Sequence, residues 1–253
     1  MAFYDLPKSE REKRVAEINE SILSALRSNR LQQIIDYFSD EDTYIRKTAY
    51  IAIGRIYFAH ENLKGIIISC LGQLSLHDNF KVRQTAINAA GEVAKKNFES
   101  VKHLFDKGLF DEHHSPRNAV IGSIKKAGEV NPRPVLNWAK NYLHHPDKEI
   151  RREICHGIEL RGRKYPQDIL PLLKELQFDT TARVRNTLVH VLGQIAYKKG
   201  CLSTVIENLN TWENKKLVAD ALEEIIDVHE RYQNFAAMTQ AEARLYIEQN
   251  ALN

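Results

Sequence analysis

Cysteine is scarce: Cys70, Cys155 and Cys201 are the only three in 253 residues, and none lies in a C-x-x-C pair. An odd number without paired spacing excludes a disulfide scaffold and points to a reduced, cytoplasmic interior. Long apolar runs are missing too. No stretch approaches the roughly 18 residues that cross a bilayer, and the opening MAFYDLPKSEREKR lacks the apolar core of a secretion signal. There is no glycine-rich phosphate loop, no G-x-S-x-G, no H-E-x-x-H and no segment that reads as a strand. The local motifs of the commonest hydrolase chemistries are therefore absent.

What the chain has is a repeat. Arg46, Arg83, Arg117, Arg151 and Arg185 are separated by 37, 34, 34 and 34 residues, and Ile45, Val82, Ile150 and Val184 precede four of them, with Pro116 before the fifth. A period of this length marks a helical array. Counting from each arginine, offset three holds Ala49, Ala86, Val120, Ile154 and Leu188; offset four holds Tyr50, Ile87, Ile121, Cys155 and Val189; offset seven holds Ile53, Ala90, Ile124, Ile158 and Leu192. Those offsets form one stripe on an α-helix. Asp40, Asp111 and Asp179 stand six residues before an arginine and end the preceding loop, and Gly54, Gly91 and Gly193 stand eight after one, giving a small contact surface. Each copy reads as helix, short turn, helix, so the expected fold is all-α, a right-handed helical-repeat superhelix of about six helix pairs and a terminal helix.

The expected organisation is one continuous repeat domain over 1–253: an N-terminal capping repeat at 1–57, regular repeats over 58–199, and an atypical C-terminal repeat with a capping helix at 200–253. Ser9 and Glu12 spell a capping box for the first helix, and Thr239 and Glu242 spell one for the last. The fourth pair ends in RGRKYP, where Arg161 occupies offset ten in place of an apolar residue. A hydrophobic fraction of 43% suits a helical stack, while 27% charged residues and a mean hydropathy of −0.43 suit a soluble protein with much exposed surface.

The net charge is only +3, but residues 81–199 hold 22 Lys and Arg against 13 Asp and Glu. The five anchoring arginines read as structural, each paired with a turn acid or a carbonyl of its neighbourhood. Basic residues near the ends of inner helices are the functional candidates: Lys95, Lys96, Lys125, Lys126, Arg163, Lys164, Lys198 and Lys199, joined by Arg151, Arg152 and Arg161. Lysines there complement the helix dipole, and together they could form a ridge that tracks a phosphate backbone. The bland alternative is a solvated face, since Glu92, Glu153 and Glu159 are interspersed. His113, His114, His144 and His145 fall in turns and read as surface polar groups, so neither a metal nor a cofactor is expected. Trp138 and Trp212 are placed on outer helices, Trp138 in register with Val135 and Tyr142 as a core residue.

One stretch carries a family resemblance. Residues 137–200 contain Trp138-Ala139, Arg151-Arg152, Gly157, the Pro166 to Leu173 segment PQDILPLL, and Asp179 followed by Val184-Arg185. In these it resembles the HEAT-like-repeat DNA alkylation repair proteins of bacteria. The resemblance implies an all-helical array that embraces duplex DNA through its backbone, and active members excise cationic alkylated purines using acidic and aromatic residues. Two departures bear on that activity. Where the family has Glu-Gly and then an Arg-Pro-Arg-Leu-Pro-Trp run, this chain has His156-Gly157 and IELRGRKYP; where the family has Asn-Asp, it has Gly193-Gln194. A neutral histidine or glutamine does not stabilise a developing cation or position water as a carboxylate does.

The expected function is therefore a non-catalytic HEAT-repeat DNA-binding protein that contacts the backbone of duplex or branched DNA through the basic inner-helix edge. The alternatives are a scaffold holding a partner peptide or helix, and a divergent alkylpurine DNA glycosylase using Glu153 or Glu159. No membrane partner and no small-molecule substrate is expected.

Overall fold

The 34-residue period is realised as alternating outer and inner helices, with short turns between them. The structure, a computed structural model, describes residues 3–252. Its contacts divide the chain into two compact units, the first ending at Ala127 and the second beginning at Gly128. The first unit holds α1 (Lys8–Arg27), α2 (Leu31–Ser39), α3 (Thr43–Ala59), α4 (Lys64–Leu74), α5 (Phe80–Ala94) and α6 (Lys102–Gly108), and α7 (His114–Val130) runs across the division. The second holds α8 (Pro132–Lys140), α9 (Lys148–Gly157), α10 (Glu159–Gly162), α11 (Leu170–Lys174), α12 (Ala182–Gln194), α13 (Cys201–Leu209), α14 (Lys215–Arg231) and α15 (Gln240–Asn250). There is no strand among the described residues, and among them no helix is long and apolar enough to cross a membrane.

Four inner helices begin where a short polar side chain takes up a free N–H of the first turn. Asp42 accepts from Tyr44 N, Asn79 from Lys81 N, Asp147 from Glu149 N and Asn214 from Leu217 N. The Thr239 and Glu242 capping box forms as the sequence predicts. The box expected at Ser9 and Glu12 does not. Pro7 supplies the carbonyl that takes the Arg11 N–H at 3.0 Å, so α1 starts two residues earlier and Ser9 lies inside it.

The predicted stripe is the core. Ala49, Ala86, Val120, Ile154 and Leu188 at offset three are buried, as are Ile53, Ala90, Ile124, Ile158 and Leu192 at offset seven. At offset four Ile87, Ile121 and Cys155 are buried, while Tyr50 and Val189 are half-buried. Each fully buried Ile or Leu contributes about 1.5–3 kcal/mol from the area it removes from water. Trp138 is in the core as expected. Trp212 is buried too, but it lies beyond the end of α13, where its indole N–H donates to Asn208 Oδ1 at 2.9 Å.

The arginines lock the turns. In all five copies one guanidinium nitrogen, Nη1, donates to the carbonyls six and five residues upstream. Arg46 takes those of Asp40 and Glu41, Arg83 those of His77 and Asp78, Arg117 those of Asp111 and Glu112, Arg151 those of His145 and Pro146, and Arg185 those of Asp179 and Thr180. Two of these arginines also reach the acid of the next turn. Arg83 Nε lies 2.7 Å from Asp111 Oδ2 and Arg151 Nε lies 2.6 Å from Asp179 Oδ2, each pair 28 residues apart. Asp111 and Asp179 thus hold one arginine through the carboxylate and the next, Arg117 and Arg185, through the backbone.

The break at RGRKYP is real. The fourth inner helix stops at Gly157 and resumes at Glu159 as the one-turn α10, and Arg161 turns its guanidinium to Asp168 Oδ2 at 2.7 Å and to the Glu129 carbonyl at 3.2 Å. The following outer helix is shorter than its sequence suggests, a 3-10 turn over Pro166–Asp168 leading into α11.

The glycines eight residues past an arginine pack directly against the next inner helix, Gly54 against Glu92, Gly91 against Ser123 and Gly193 against Glu224. A Cβ on Gly91 would lie 2.7 Å from Ser123 Cβ and 3.2 Å from its Cα, while one on Gly122 would meet nothing within 4 Å. Gly91→Ala is expected to lower stability by about 1–3 kcal/mol through overpacking against backbone. Gly122→Ala, at an open helical position, is expected to raise it by up to about 1 kcal/mol through helix propensity. Urea denaturation of the two variants beside the parent chain checks both signs.

Candidate functional site

The basic residues predicted to form a ridge divide by chemistry once their surroundings are known. The arginines are engaged within the chain. Arg151, its side chain 15% exposed, is held by Asp179 and the turn carbonyls. Arg152 lies 3.0 Å from Glu149 and 3.5 Å from Glu153, and Arg161 packs its guanidinium 3.9 Å over the Tyr165 ring besides bonding Asp168. Arg163 meets Glu159 Oε1 at 2.5 Å and Gln194 Oε1 at 2.7 Å.

The lysines face solvent more. Lys95 caps the end of α5 and contacts Glu92 at 2.5 Å, and Lys164, 65% exposed, contacts Glu129 at 2.8 Å. Lys198 donates to the Phe235 carbonyl at 3.2 Å and lies over the Tyr197 and Phe235 rings. Lys125 is half-buried on α7. Lys96, Lys126 and Lys199 are exposed and make no ion pair among the described residues, and the Lys96 ammonium sits 5.2 Å over the Phe58 ring. Several of these cations therefore have an aromatic ring beside them, with Phe58, Tyr165 and Phe235 substantially exposed.

The acids that could have replaced the missing catalytic carboxylate are enclosed. Glu153 and Glu159 are 3% and 1% exposed. Glu159 gives Oε1 to Arg163, through both Nε at 3.0 Å and Nη2 at 2.5 Å, and its Oε2 lies 3.2 Å from His156 Nε2. Gln194, which stands where the resemblance would place an acid, is buried with its Oε1 on Arg163 and its Nε2 without an acceptor.

The turn histidines serve their turns. His113 Nδ1 accepts from Ser115 N and its ring stacks on Phe80 at 3.9 Å, His145 Nδ1 accepts from Asp147 N, and His144 Nε2 lies 2.7 Å from Glu175 Oε2. Among the described residues a different set converges: His156, Glu159 and His190 bring one donor atom each to within 4.8 Å of one another, and His190 Nδ1 lies 3.6 Å from Glu224 Oε1. Motif reading missed this set because His190 lies a full repeat away from His156 and Glu159 in sequence. A signal was present: His156 and His190 both stand five residues after a repeat arginine, and Glu224 follows His190 by the same 34 residues.

The three cysteines are buried. Burial pushes the Cys70 thiol up to about 11 and raises Cys155 and Cys201 as well, which keeps them from acting as ready nucleophiles or ligands.

No protein-family model and no curated protein matches the sequence. Solved structures do. AlkD2 from Streptococcus mutans superposes with a TM-score of 0.55 at 15% identity, over 78% of this chain and 97% of that one. The structure of Kap95p with RanGDP gives a TM-score of 0.50 at 14% identity, over 96% of this chain and 36% of that one. The protein smu.31 from Streptococcus mutans UA159 gives 0.48 at 16% identity, over 83% and 96%. At these identities the likeness is one of fold. It is the HEAT-like helical-repeat fold that the period and the resemblance of residues 137–200 predict.

The arginine ladder makes a pH prediction. Burial alone would raise the Asp179 carboxyl, but hydrogen bonds from Arg151 and the Thr181 N–H, with the attraction of the guanidinium, outweigh it and hold the group below its ordinary value; Asp111 is held down in the same way by Arg83 and the His113 N–H. A depressed folded-state value means that this stabilisation is complete above the unfolded-state value of about 4 and is lost as pH falls below it. The urea midpoint should therefore drop between about pH 5 and pH 3, and Asp179→Asn should flatten that drop while lowering the midpoint at neutral pH.

Proposed function

We propose that this chain is a non-catalytic HEAT-like-repeat protein that binds the phosphate backbone of duplex or branched DNA through lysines at the ends of its inner helices. The observation that carries the reading is the contrast between its cations. Arginines are tied into the fold by carboxylates and carbonyls, whereas Lys96, Lys126 and Lys199 are exposed without an ion pair among the described residues, and Lys164 is 65% exposed. An exposed ammonium at a helix end can exchange its counterion for a phosphate with no loss of internal contacts. Lys95, Lys125 and Lys198, next in sequence to these, would follow them. Arg151, Arg152, Arg161 and Arg163 would support the surface from their present pairs.

The non-catalytic part rests on Glu153 and Glu159. Both are buried against arginines, and an acid enclosed in this way is poorly placed to meet a flipped base or to activate water. The resemblance of residues 137–200 to DNA alkylation repair proteins favours DNA as the partner. The likeness to Kap95p, which induces the switch loops of RanGDP to adopt the GTP-bound conformation, keeps a protein partner as the second reading.

Backbone contacts give little sequence dependence and a strong salt dependence, with log K falling by about 0.9 per phosphate neutralised for each decade of salt. The quadruple variant Lys96→Glu, Lys126→Glu, Lys164→Glu, Lys199→Glu is expected to weaken anisotropy-measured binding to labelled duplex and four-way-junction DNA at least about a hundredfold at low salt. Its salt slope should be shallower by about one unit per lysine that contacts phosphate. Methylated duplex in the same titration should release no base. Unchanged affinity in the variant would reject the lysine surface, release of methylated purine would restore the glycosylase, and no binding by the parent chain would favour the protein partner.

A further inference from the structure

We infer that His156, Glu159 and His190 form a binding site for one borderline divalent cation of the zinc class. The inference does not depend on the nucleic-acid reading. Two imidazoles and a carboxylate with one coordination position left over is a donor set that such ions use in open sites. Here the donors come from α9, α10 and α12, and their three atoms already lie within 4.8 Å of one another. Bond lengths of about 2.0–2.2 Å place the ligand atoms of a tetrahedral ion roughly 3.3–3.5 Å apart. His156 Nε2 and Glu159 Oε2, at 3.2 Å, stand just inside that spacing and need to part only slightly to take an ion. His190 has to close the remaining gap, and its side chain, 42% exposed, has room to rotate.

The surroundings are those of a supported site. Arg163 fixes Glu159 through Oε1, which leaves Oε2 directed at His156. Glu224 lies beside His190 Nδ1, the kind of carboxylate partner that orients a ligating imidazole. Gln194 accepts from the same guanidinium through Oε1 at 2.7 Å, which braces Arg163 against Glu159. His156 is 33% exposed and His190 42%, so the ion has a path from solvent and its fourth position opens toward water.

Charge decides which ion. Arg163 offsets Glu159 and Arg231 offsets Glu224 at 3.2 Å, so a dication gains little from net field. Affinity must come from the imidazoles, which favours Zn2+, Co2+ or Cu2+ over the oxygen-seeking Mg2+ and Ca2+.

The test is equilibrium dialysis of the full chain against Zn2+, with Co2+ absorption as the reporter of coordination. One equivalent per chain is expected, with a tetrahedral or five-coordinate Co2+ spectrum that Zn2+ abolishes and Mg2+ does not. Because Glu159 is buried and its replacement could unfold the unit, the decisive variants are the two accessible histidines. His156→Asn and His190→Asn should each weaken Zn2+ binding at least about tenfold and together eliminate it while circular dichroism stays unchanged, and Glu224→Gln should cost about 10–100-fold. No binding by the parent chain, or binding that survives the double histidine variant, would overturn the inference.

Discussion

Five turns of this protein, one in each arginine-anchored repeat, are closed by an arginine that reads backbone. A guanidinium presents five donors in a rigid fork, and here one nitrogen spans two consecutive carbonyls while, at Arg83 and Arg151, the opposite edge takes a carboxylate of the following turn. Two problems are solved by one side chain. The turn carbonyls, which lie outside any helix, find donors, and successive repeats are tied in register. Lysine, a point charge on a flexible stem, could not bridge the same acceptors.

This constraint explains why so much of the fold was legible. The period, the apolar stripe and the aspartate six residues upstream are three marks of one device, and each appears in the sequence at a fixed distance from the arginine. The caps of the inner helices follow from the same short polar turns. Ser9 shows where pattern reading stops: S-x-x-E is a capping box only if the chain leaves the helix at the serine, and Pro7, set in an extended conformation, moves that point upstream. The break after Gly157 was visible as a charged residue on the apolar face, but not where Arg161 would turn.

The functional surface was less legible, for a physical reason. A run of basic letters says nothing about whether a neighbour 28 to 35 residues away holds the charge. Arg151 is held by Asp179 and Lys164 by Glu129, partners that only stacking brings near. The same stacking hides His156 and His190 from any search for local motifs, since their proximity is a property of adjacent repeats.

That column at offset five separates chemistry from architecture. The offsets that carry the core are three, four and seven, and the arginine itself carries the turn; at offset five, outside that stripe, the His156 and His190 rings meet edge to face at 6.1 Å. His156, His190 and Glu224 fill it in succession. A chain built this way can be rewritten one letter per repeat, and the change alters what the surface can hold while the scaffold beneath keeps its packing.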